Sequence, residues 1–264
     1  MTLDRLTLTS SPGDHWRRID IVDETGSTNA DLVARAAAGE DIGGVVLLAE
    51  HQSAGRGRHG RSWGAPPQTQ VAMSVGIAVE EVPSDRWGLL PLLAGVAIVD
   101  AIAAASGIQA GLKWPNDVLV EGRKLCGILA EVASPTQAIV LGLGINATFT
   151  EHDLPDPNAT SLAILGWANP DRSALARAVL HELGSRIEHW RAARGVDDRL
   201  LEDYRARSVT LGSRVRAELP GDRELVGVAV GLSDNGQLRI EGADGTVTAV
   251  SAGDITHLRP AQGQ

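Results

Sequence analysis

The sequence predicts an α+β protein in which a large unit of strands and helices precedes a small all-β unit. Two observations predict this class. Between residues 16 and 146, apolar strand-like runs are interleaved with helical segments. From Thr210 onward, short alternating strands are separated by Gly-Asp and Asn-Gly turns, a pattern typical of a small barrel. We therefore predict one unit over residues 1–208 and a second over residues 209–264.

The strands of both units are predicted from apolar runs that end at turn residues. They cover residues 16–23, 45–50, 71–79, 111–120, 125–132 and 138–146 in the large unit, and 214–219, 225–232, 237–241 and 247–251 in the small one. A first helix begins at Ser27 or Thr28, where a hydroxyl can cap it, and ends at Gly39. Further helices are predicted over residues 89–105, 172–190 and 197–207.

The composition limits the classes of function. The chain has 264 residues, of which 43% are hydrophobic and 22% charged, and its formal net charge is −9. A chain with this net negative charge is not expected to have general affinity for nucleic acid or anionic lipid. The chain lacks a signal-peptide pattern, an apolar run of roughly 18 residues and a second cysteine beside Cys126. We expect a cytoplasmic protein that binds neither nucleic acid nor a membrane.

Only two of the 24 basic residues are lysines, Lys113 and Lys124. One interpretation is that the whole chain has drifted toward arginine and that these two are survivors. The alternative is that both positions need a compact ammonium, which the wider guanidinium cannot replace. Their closeness in the sequence favours the second interpretation.

A glycine-rich basic loop occupies residues 55–61, with the sequence Gly-Arg-Gly-Arg-His-Gly-Arg. Glycines allow close approach to a ligand, and the guanidinium groups of Arg56, Arg58 and Arg61 offer forked donors to a carboxylate or phosphate. The pattern is neither a P-loop nor a dinucleotide fingerprint. An anion-binding loop, a mobile surface loop and a disordered RNA-binding tail remain alternatives, although the internal position disfavours a tail.

Three further motifs are ambiguous when each is taken alone. The segment 113–117, Lys-Trp-Pro-Asn-Asp, contacts a nucleotide or forms an ordinary turn. Lys124 opens an apolar strand, where it projects into a pocket or protects a sheet edge. Gly142 and Gly144 suit either a ligand that lies on the strand or a crowded sheet. Cys126 is interpreted as a small buried residue, because nothing in the sequence around it would activate a thiol.

The order of the motifs is more specific than any one of them. Ser-Thr-Asn, then Gln-x-x-Gly-Arg-Gly-Arg-x-Gly-Arg-x-Trp, then Lys-Trp-Pro-Asn-Asp, then Lys-Leu-x-Gly-Ile-Leu, then Gly-x-Gly-x-Asn resembles the biotin–protein ligase family over residues 23–146. Residues 211–259 resemble the small SH3-like barrel of that family. The resemblance implies a mixed-sheet catalytic domain of the biotin/lipoate ligase type, followed by the barrel.

The resemblance also implies a two-step reaction and its site. Biotin and ATP, with Mg2+, give biotinyl-5′-AMP, and a lysine of a biotin carboxyl carrier protein then takes the biotin. It assigns the chemistry to Lys124, Arg56, Arg58 and Asp117. It implies a biotin site formed by Ser27, Thr28, Asn29, Gln52, Gly55, Arg56, Arg58, Lys124, Gly127, Ile128, Gly142 and Gly144. It implies an ATP site formed by Arg58, Arg61, Trp63, Lys113, Asn116, Lys124 and Asn146, whereas the metal ligands remain unknown.

Alternatives remain at this point. A lipoate ligase shares the fold, but Ser27, Thr28 and Gln52 would oversupply lipoate with polar partners. A nucleic-acid-binding module is disfavoured by the net charge, and an inactive biotin sensor by the presence of Lys124. Fewer than twenty residues precede the first predicted strand, too few for a helix-turn-helix unit, so no operator binding is predicted. A monomer or weak homodimer is expected.

Overall fold

Two sheets organise the chain in the computed structural model, which describes residues 2–9, 15–134, 137–154, 156–219, 223–251 and 254–258. The first sheet is mixed and has seven strands, and the second has five antiparallel strands. The predicted α+β class is therefore confirmed. The outermost parts of the two predicted units, residue 1 and residues 259–264, lie outside the described residues.

The seven-stranded sheet carries most of the predicted motifs. Its strands are β1 (Arg18–Thr25), β2 (Val45–Gln52), β3 (Gln70–Ala78), β4 (Gly111–Lys113), β5 (Asp117–Val120), β6 (Arg123–Ala133) and β7 (Ala138–Asn146). Their order across the sheet is β1-β2-β3-β7-β6-β5-β4, and only β1 and β2 pair in parallel. Strand β7 is buried along its whole length, which explains its uninterrupted run of apolar residues and glycines.

Five helices accompany the described strands. They are α1 (Arg5–Thr9), α2 (Thr28–Ala37), α3 (Leu90–Ser106), α4 (Arg172–Ala192) and α5 (Asp198–Arg207). Helix α2 begins as predicted, because the Ser27 side chain accepts a hydrogen bond from the N–H of Ala30. Helix α3 ends at Gly107, which has a φ of 75°. The short helix α1 was not predicted.

Helix α3 is the central helix of the core. It packs against α4 and α5, and its side chains are buried around most of its circumference. Residues 84–106 are long and apolar enough to cross a membrane by composition alone, yet two thirds of the most apolar window are buried within the protein. A helix that is apolar on all sides is expected in such a core position.

The predicted strand over residues 111–120 is wrong, because the structure divides it into β4 and β5. The two strands form an antiparallel hairpin in which Lys113 pairs with Asp117. Pro115 has no N–H to continue the ladder and follows a cis peptide bond from Trp114. The Lys-Trp-Pro-Asn-Asp motif is therefore the turn that joins two strands at the edge of the sheet.

The second sheet has the strand order β11-β10-β9-β8-β12. Its strands are β8 (Arg214–Leu219), β9 (Arg223–Leu232), β10 (Leu238–Glu241), β11 (Val247–Val250) and β12 (Asp254–His257). Four of them match predicted strands, and β12 was missed because it has one apolar residue, Ile255, and so no apolar run. The indole of Trp114 donates a 2.9 Å hydrogen bond to the carbonyl of Gly236, which ties this sheet to the β4–β5 hairpin.

Candidate active site

A cavity of about 310 Å³ lies over the faces of β6 and β7. All of the predicted site residues except Gly55 and Asn146 line it. They are Ser27, Thr28, Asn29, Gln52, Arg56, Arg58, Arg61, Trp63, Lys113, Asn116, Asp117, Lys124, Gly127, Ile128, Gly142 and Gly144. Motifs that are up to about 115 residues apart in the sequence thus converge on one site.

Lys124 points into the cavity because β6 contains a bulge. The register of β6 against β5 shifts between the pairs Val118–Cys126 and Leu119–Lys124, which inserts one extra residue. A bulge changes the face on which the preceding side chain lies. In regular alternation Lys124 would share the buried face of Cys126, whereas here its ammonium lies 3.4 Å from the position that a Cβ on Gly127 would take.

Lys124 is paired with a carboxylate from the neighbouring hairpin. Its Nζ lies 2.6 Å from Oδ1 of Asp117, whose side chain is 17% exposed. The same Nζ lies 5.4 Å from the centroid of the Trp63 ring, within reach of a cation–π interaction. The ammonium is thus held between a carboxylate and an aromatic face at one end of the cavity.

Trp63 packs directly on β6 and β7, at Gly127 and Gly144. A Cβ on Gly144 would lie 2.5 Å from Nε1 of Trp63, and a Cβ on Gly127 would lie 3.0 Å from its ring. Nε1 donates a 2.7 Å hydrogen bond to Oε1 of Gln70, a buried residue that sequence analysis missed. The two glycines therefore create the space that an indole, and any ligand beside it, needs.

The opposite end of the cavity is lined by a connected set of neutral polar groups. Oε1 of Gln52 accepts hydrogen bonds from the N–H and the hydroxyl of Thr28, at 2.9 and 3.1 Å. That hydroxyl lies 2.7 Å from the hydroxyl of Ser74, which donates to Oδ1 of Asn29 at 2.6 Å. A Cβ on Gly142 would collide with this amide. Ser74 was not predicted, because it lies within an otherwise apolar strand.

The arginine loop folds over the cavity as a small closed turn. Arg56 and Ser62 form an isolated bridge, and the N–H of Trp63 donates to the carbonyl of Gly55. A Cβ on Gly55 would collide with the Trp63 carbonyl, so the structure places this glycine in the packing of the turn rather than on the cavity wall. Within the loop, His59 has a φ of 55°.

Two guanidinium groups of the loop have partners on different elements, one on β6 and one in the turn between β4 and β5. Nη2 of Arg56 lies 2.8 Å from Oε1 of Glu131 on β6. Nη1 of Arg58 donates a 3.1 Å hydrogen bond to Oδ1 of Asn116, and the Asn116 amide donates to the carbonyl of Ile128. The loop therefore spans the cavity from the lysine end to the Asn29 end.

Asn146 does not line the cavity, contrary to its predicted place in the ATP site. It is buried, and its amide donates to the carbonyl of Thr160 at 3.0 Å. The N–H of Lys124 donates to the Asn158 carbonyl, and the N–H of Thr160 donates to the Lys124 carbonyl. Asn146 thus fixes the segment that holds the Lys124 backbone.

The C-terminal sheet completes the wall of the cavity. Glu218, Ile255 and Thr256 line it together with Lys113, and none of the three was predicted. His257 follows them, and burial, followed by the nearby Lys113 charge, lowers its pKa. Burial likewise raises the pKa of the Cys126 thiol, in agreement with its interpretation as a buried structural residue. Within the described ranges, no three His, Cys, Asp or Glu side chains are placed to hold a metal ion.

Comparisons with known proteins match both parts of the chain. A model of the Biotin/lipoate A/B protein ligase family matches residues 28–146, and a model of the Biotin protein ligase C terminal domain matches residues 210–258. The Biotin--[acetyl-CoA-carboxylase] ligase of Mycobacterium tuberculosis is 54% identical over 250 residues, which cover 94% of this chain and 91% of the relative. The chain belongs to the biotin protein ligase family.

Solved structures agree with this assignment. A biotin protein ligase from Aquifex aeolicus in complex with biotin and ATP has the same fold, with a TM-score of 0.79 and 24% identity over 93% of this chain and 100% of that chain. A biotin protein ligase from Leishmania major in complex with biotinyl-5-AMP has a TM-score of 0.61 and 27% identity over 89% of this chain and 99% of that chain. The resemblance inferred from the order of the motifs is confirmed.

Proposed function

We propose that this chain forms biotinyl-5′-AMP from biotin and ATP, and then transfers the biotin to one lysine of a biotin carboxyl carrier protein of acyl-CoA carboxylases. The observation that carries the proposal is the convergence of Lys124, Asp117 and the arginine loop on one cavity over β6 and β7. The ligase from Mycobacterium tuberculosis and the biotinyl-5-AMP complex from Leishmania major support the same activity.

The first step joins two anions. A carboxylate oxygen of biotin attacks the α-phosphorus of ATP, the new O–P bond forms, and pyrophosphate leaves. Negative charge accumulates where the two substrates meet, so a fixed cation there stabilises the transition state. Lys124 is proposed for this role because the bulge and Asp117 fix its ammonium at one end of the cavity.

The second step releases AMP. The acceptor lysine attacks the acyl carbon as a neutral amine, the C–N bond forms, and the C–O bond to the phosphate breaks. AMP leaves with the bonding electrons, and the nitrogen loses one proton to water. Asp117 is 17% exposed and is the carboxylate nearest to Lys124, and we assign to it the orientation of Lys124 or of the incoming amine. Arg56 and Arg58 are proposed to close over the anhydride and exclude water.

The remaining residues are assigned to the two substrates. Thr28 and Gln52, with Ser27 and Asn29, are proposed to contact the ureido ring of biotin, since neutral donors and acceptors meet at that end. Arg61, Trp63, Lys113 and Asn116 are proposed to contact ATP. Mg2+ is proposed to arrive on the ATP phosphates, whose oxygens are the ligands that this ion prefers.

We propose a catalytic domain over residues 1–208 and a barrel over 209–264, in a cytoplasmic protein that is a monomer or a weak homodimer and binds no DNA. The division is supported by the family model that begins at residue 210.

The proposal is tested by labelling of a purified carrier domain with biotin and ATP. Wild-type protein should release pyrophosphate and label the carrier, and lipoate should replace biotin poorly. Adenylation of lipoate but not of biotin would reject the proposal in favour of a lipoate ligase.

A further inference from the structure

Glu131 holds Arg56 at the end of the cavity that is remote from Lys124. Residues 127 and 131 lie on the same face of β6, in a stretch paired regularly with β7. Their Cα atoms are therefore separated by roughly 13 Å, since a strand rises about 3.3 Å per residue. The Lys124 ammonium lies beside Gly127, whereas Arg56 is paired at Glu131. The two cations therefore do not meet at one point.

The Glu131 carboxylate is itself held in place by the polar groups that line the cavity. Its Oε2 accepts a 2.9 Å hydrogen bond from the amide of Asn29, which also donates to the carbonyl of Leu129 at 3.2 Å. Through Ser74 and Thr28 the same set reaches Gln52. Glu131 does not line the cavity, so it acts on a ligand only through Arg56 and Asn29.

The Arg56–Glu131 pair is open enough to be exchanged. The Arg56 side chain is 48% exposed and that of Glu131 is 22% exposed. Ion pairs of this kind contribute little, because water solvates both partners when they separate. A second carboxylate that enters the cavity can therefore replace Glu131 as the partner of Arg56.

We propose that Glu131 is a positioning residue that competes with the substrate carboxylate for Arg56 and releases it when the acid binds. This inference rests on the proposed function. Glu131 thus determines which of two states the arginine loop adopts. In the first state Arg56 pairs with the protein, and in the second it pairs with the acid that is to be activated.

The exchange has a measurable consequence. A substrate with a carboxylate must compete with Glu131 for Arg56, whereas the alcohol analogue of biotin, in which a hydroxyl replaces the carboxylate, has no charge to offer. Glu131→Gln should therefore tighten biotin binding by about two- to fivefold, the range expected for a partly exposed ion pair. Binding of the alcohol should not change.

The experiment is calorimetric titration of wild type, Glu131→Gln, Arg56→Gln and the double variant with biotin and with the alcohol. In the Arg56→Gln background, Glu131→Gln should change neither affinity. Glu40→Gln, which removes the exposed pair with Arg18, is the control and should change neither affinity. Thermal unfolding of each variant checks the fold. Glu131→Asp, which retains the charge with a shorter reach, is the second variant and should raise the affinity for biotin less than Glu131→Gln does.

Three results would overturn the inference: equal changes for biotin and the alcohol, weaker binding of biotin alone, or no change for either. Equal changes would mean that Glu131 only supports the cavity wall through Asn29. The proposed function fails separately, if wild-type protein binds no biotin and releases no pyrophosphate with both substrates.

Discussion

The two cationic regions of the cavity are built differently. Lys124 stands on a strand of the sheet, aimed by a bulge and paired with Asp117 at 2.6 Å. Arg56 and Arg58 stand on a surface loop, where Arg56 contacts Glu131 and Arg58 contacts Asn116. A site on rigid strands suits a charge that must be in place at the moment of reaction, and a loop suits groups that must open and close. We infer that the strand governs the chemistry and the loop governs retention of the intermediate.

The largest effect on activity is expected on the strand side of the cavity, which consists of Lys124, Asp117 and the strands that hold them. Lys124→Ala should lower the rate of pyrophosphate release by about a hundredfold or more, since loss of one placed charge stabiliser costs about 3 kcal/mol. Lys124→Arg keeps the charge but not the compact shape and should rescue little of the rate. Rapid-quench measurement with biotin and ATP checks both. Near-wild-type rates in Lys124→Ala would show that Lys124 does not govern the chemistry, and would contradict the contrast between strand and loop.

Gly144→Ala tests the support beneath the strand side. A Cβ there would lie 2.5 Å from Nε1 of Trp63, so the indole must shift and lose its hydrogen bond to Gln70. We expect a loss of about 1–3 kcal/mol in the free energy of unfolding, as for other overpacked sites, and weaker ATP binding. Gly64→Ala places its Cβ in open space and is the matched control. Chemical denaturation of the two variants should separate them clearly.

Arg58→Ala tests the loop side of the cavity, which consists of Arg56 and Arg58. Because the strand cation stays in place, pyrophosphate release should fall less than in Lys124→Ala. More of the biotinyl-adenylate should escape to solvent or hydrolyse, by several-fold, because the loop loses its contact with Asn116. Chromatography of the free adenylate after a single turnover measures this. An unchanged escape would mean that the loop does not retain the intermediate.

The smallest signal expected is self-labelling. Escaped adenylate acylates nearby amines, and this chain offers only Lys113, Lys124 and its N-terminus. Mass spectrometry after incubation without a carrier should find little biotin on the protein, even in Arg58→Ala. Heavy labelling of Lys113 would show that the cavity exposes this amine to the anhydride.

The sequence predicted best what is encoded locally. The residues of the strand side occur as short motifs, and the structure brings those motifs to one cavity. The loss of alternation at the β6 bulge was not recognised, although Leu125 and Cys126 are both buried. Ser74 and Glu131 were missed because each gains its role only from contacts with residues distant in the sequence. Gln70 is close to Trp63 in the sequence, but no motif marks their contact.

The C-terminal wall could not be predicted for the same reason. Glu218, Ile255 and Thr256 belong to the second sheet, which is separate in sequence from every motif, and only the packing of that sheet brings them to the cavity. Asn146 is the reverse case. It is the last residue of β7, whose glycines line the cavity, but its own side chain hydrogen-bonds to the segment around Thr160.

The most direct test of the division between strand and loop is one single-turnover assay that records pyrophosphate and free biotinyl-adenylate together. Lys124→Ala should reduce pyrophosphate strongly, with the escaping fraction of adenylate unchanged. Arg58→Ala should retain most of the pyrophosphate and raise the escaping fraction. If both variants lost pyrophosphate to the same extent with no change in escape, strand and loop would act as one unit, and the proposed division of roles would be contradicted.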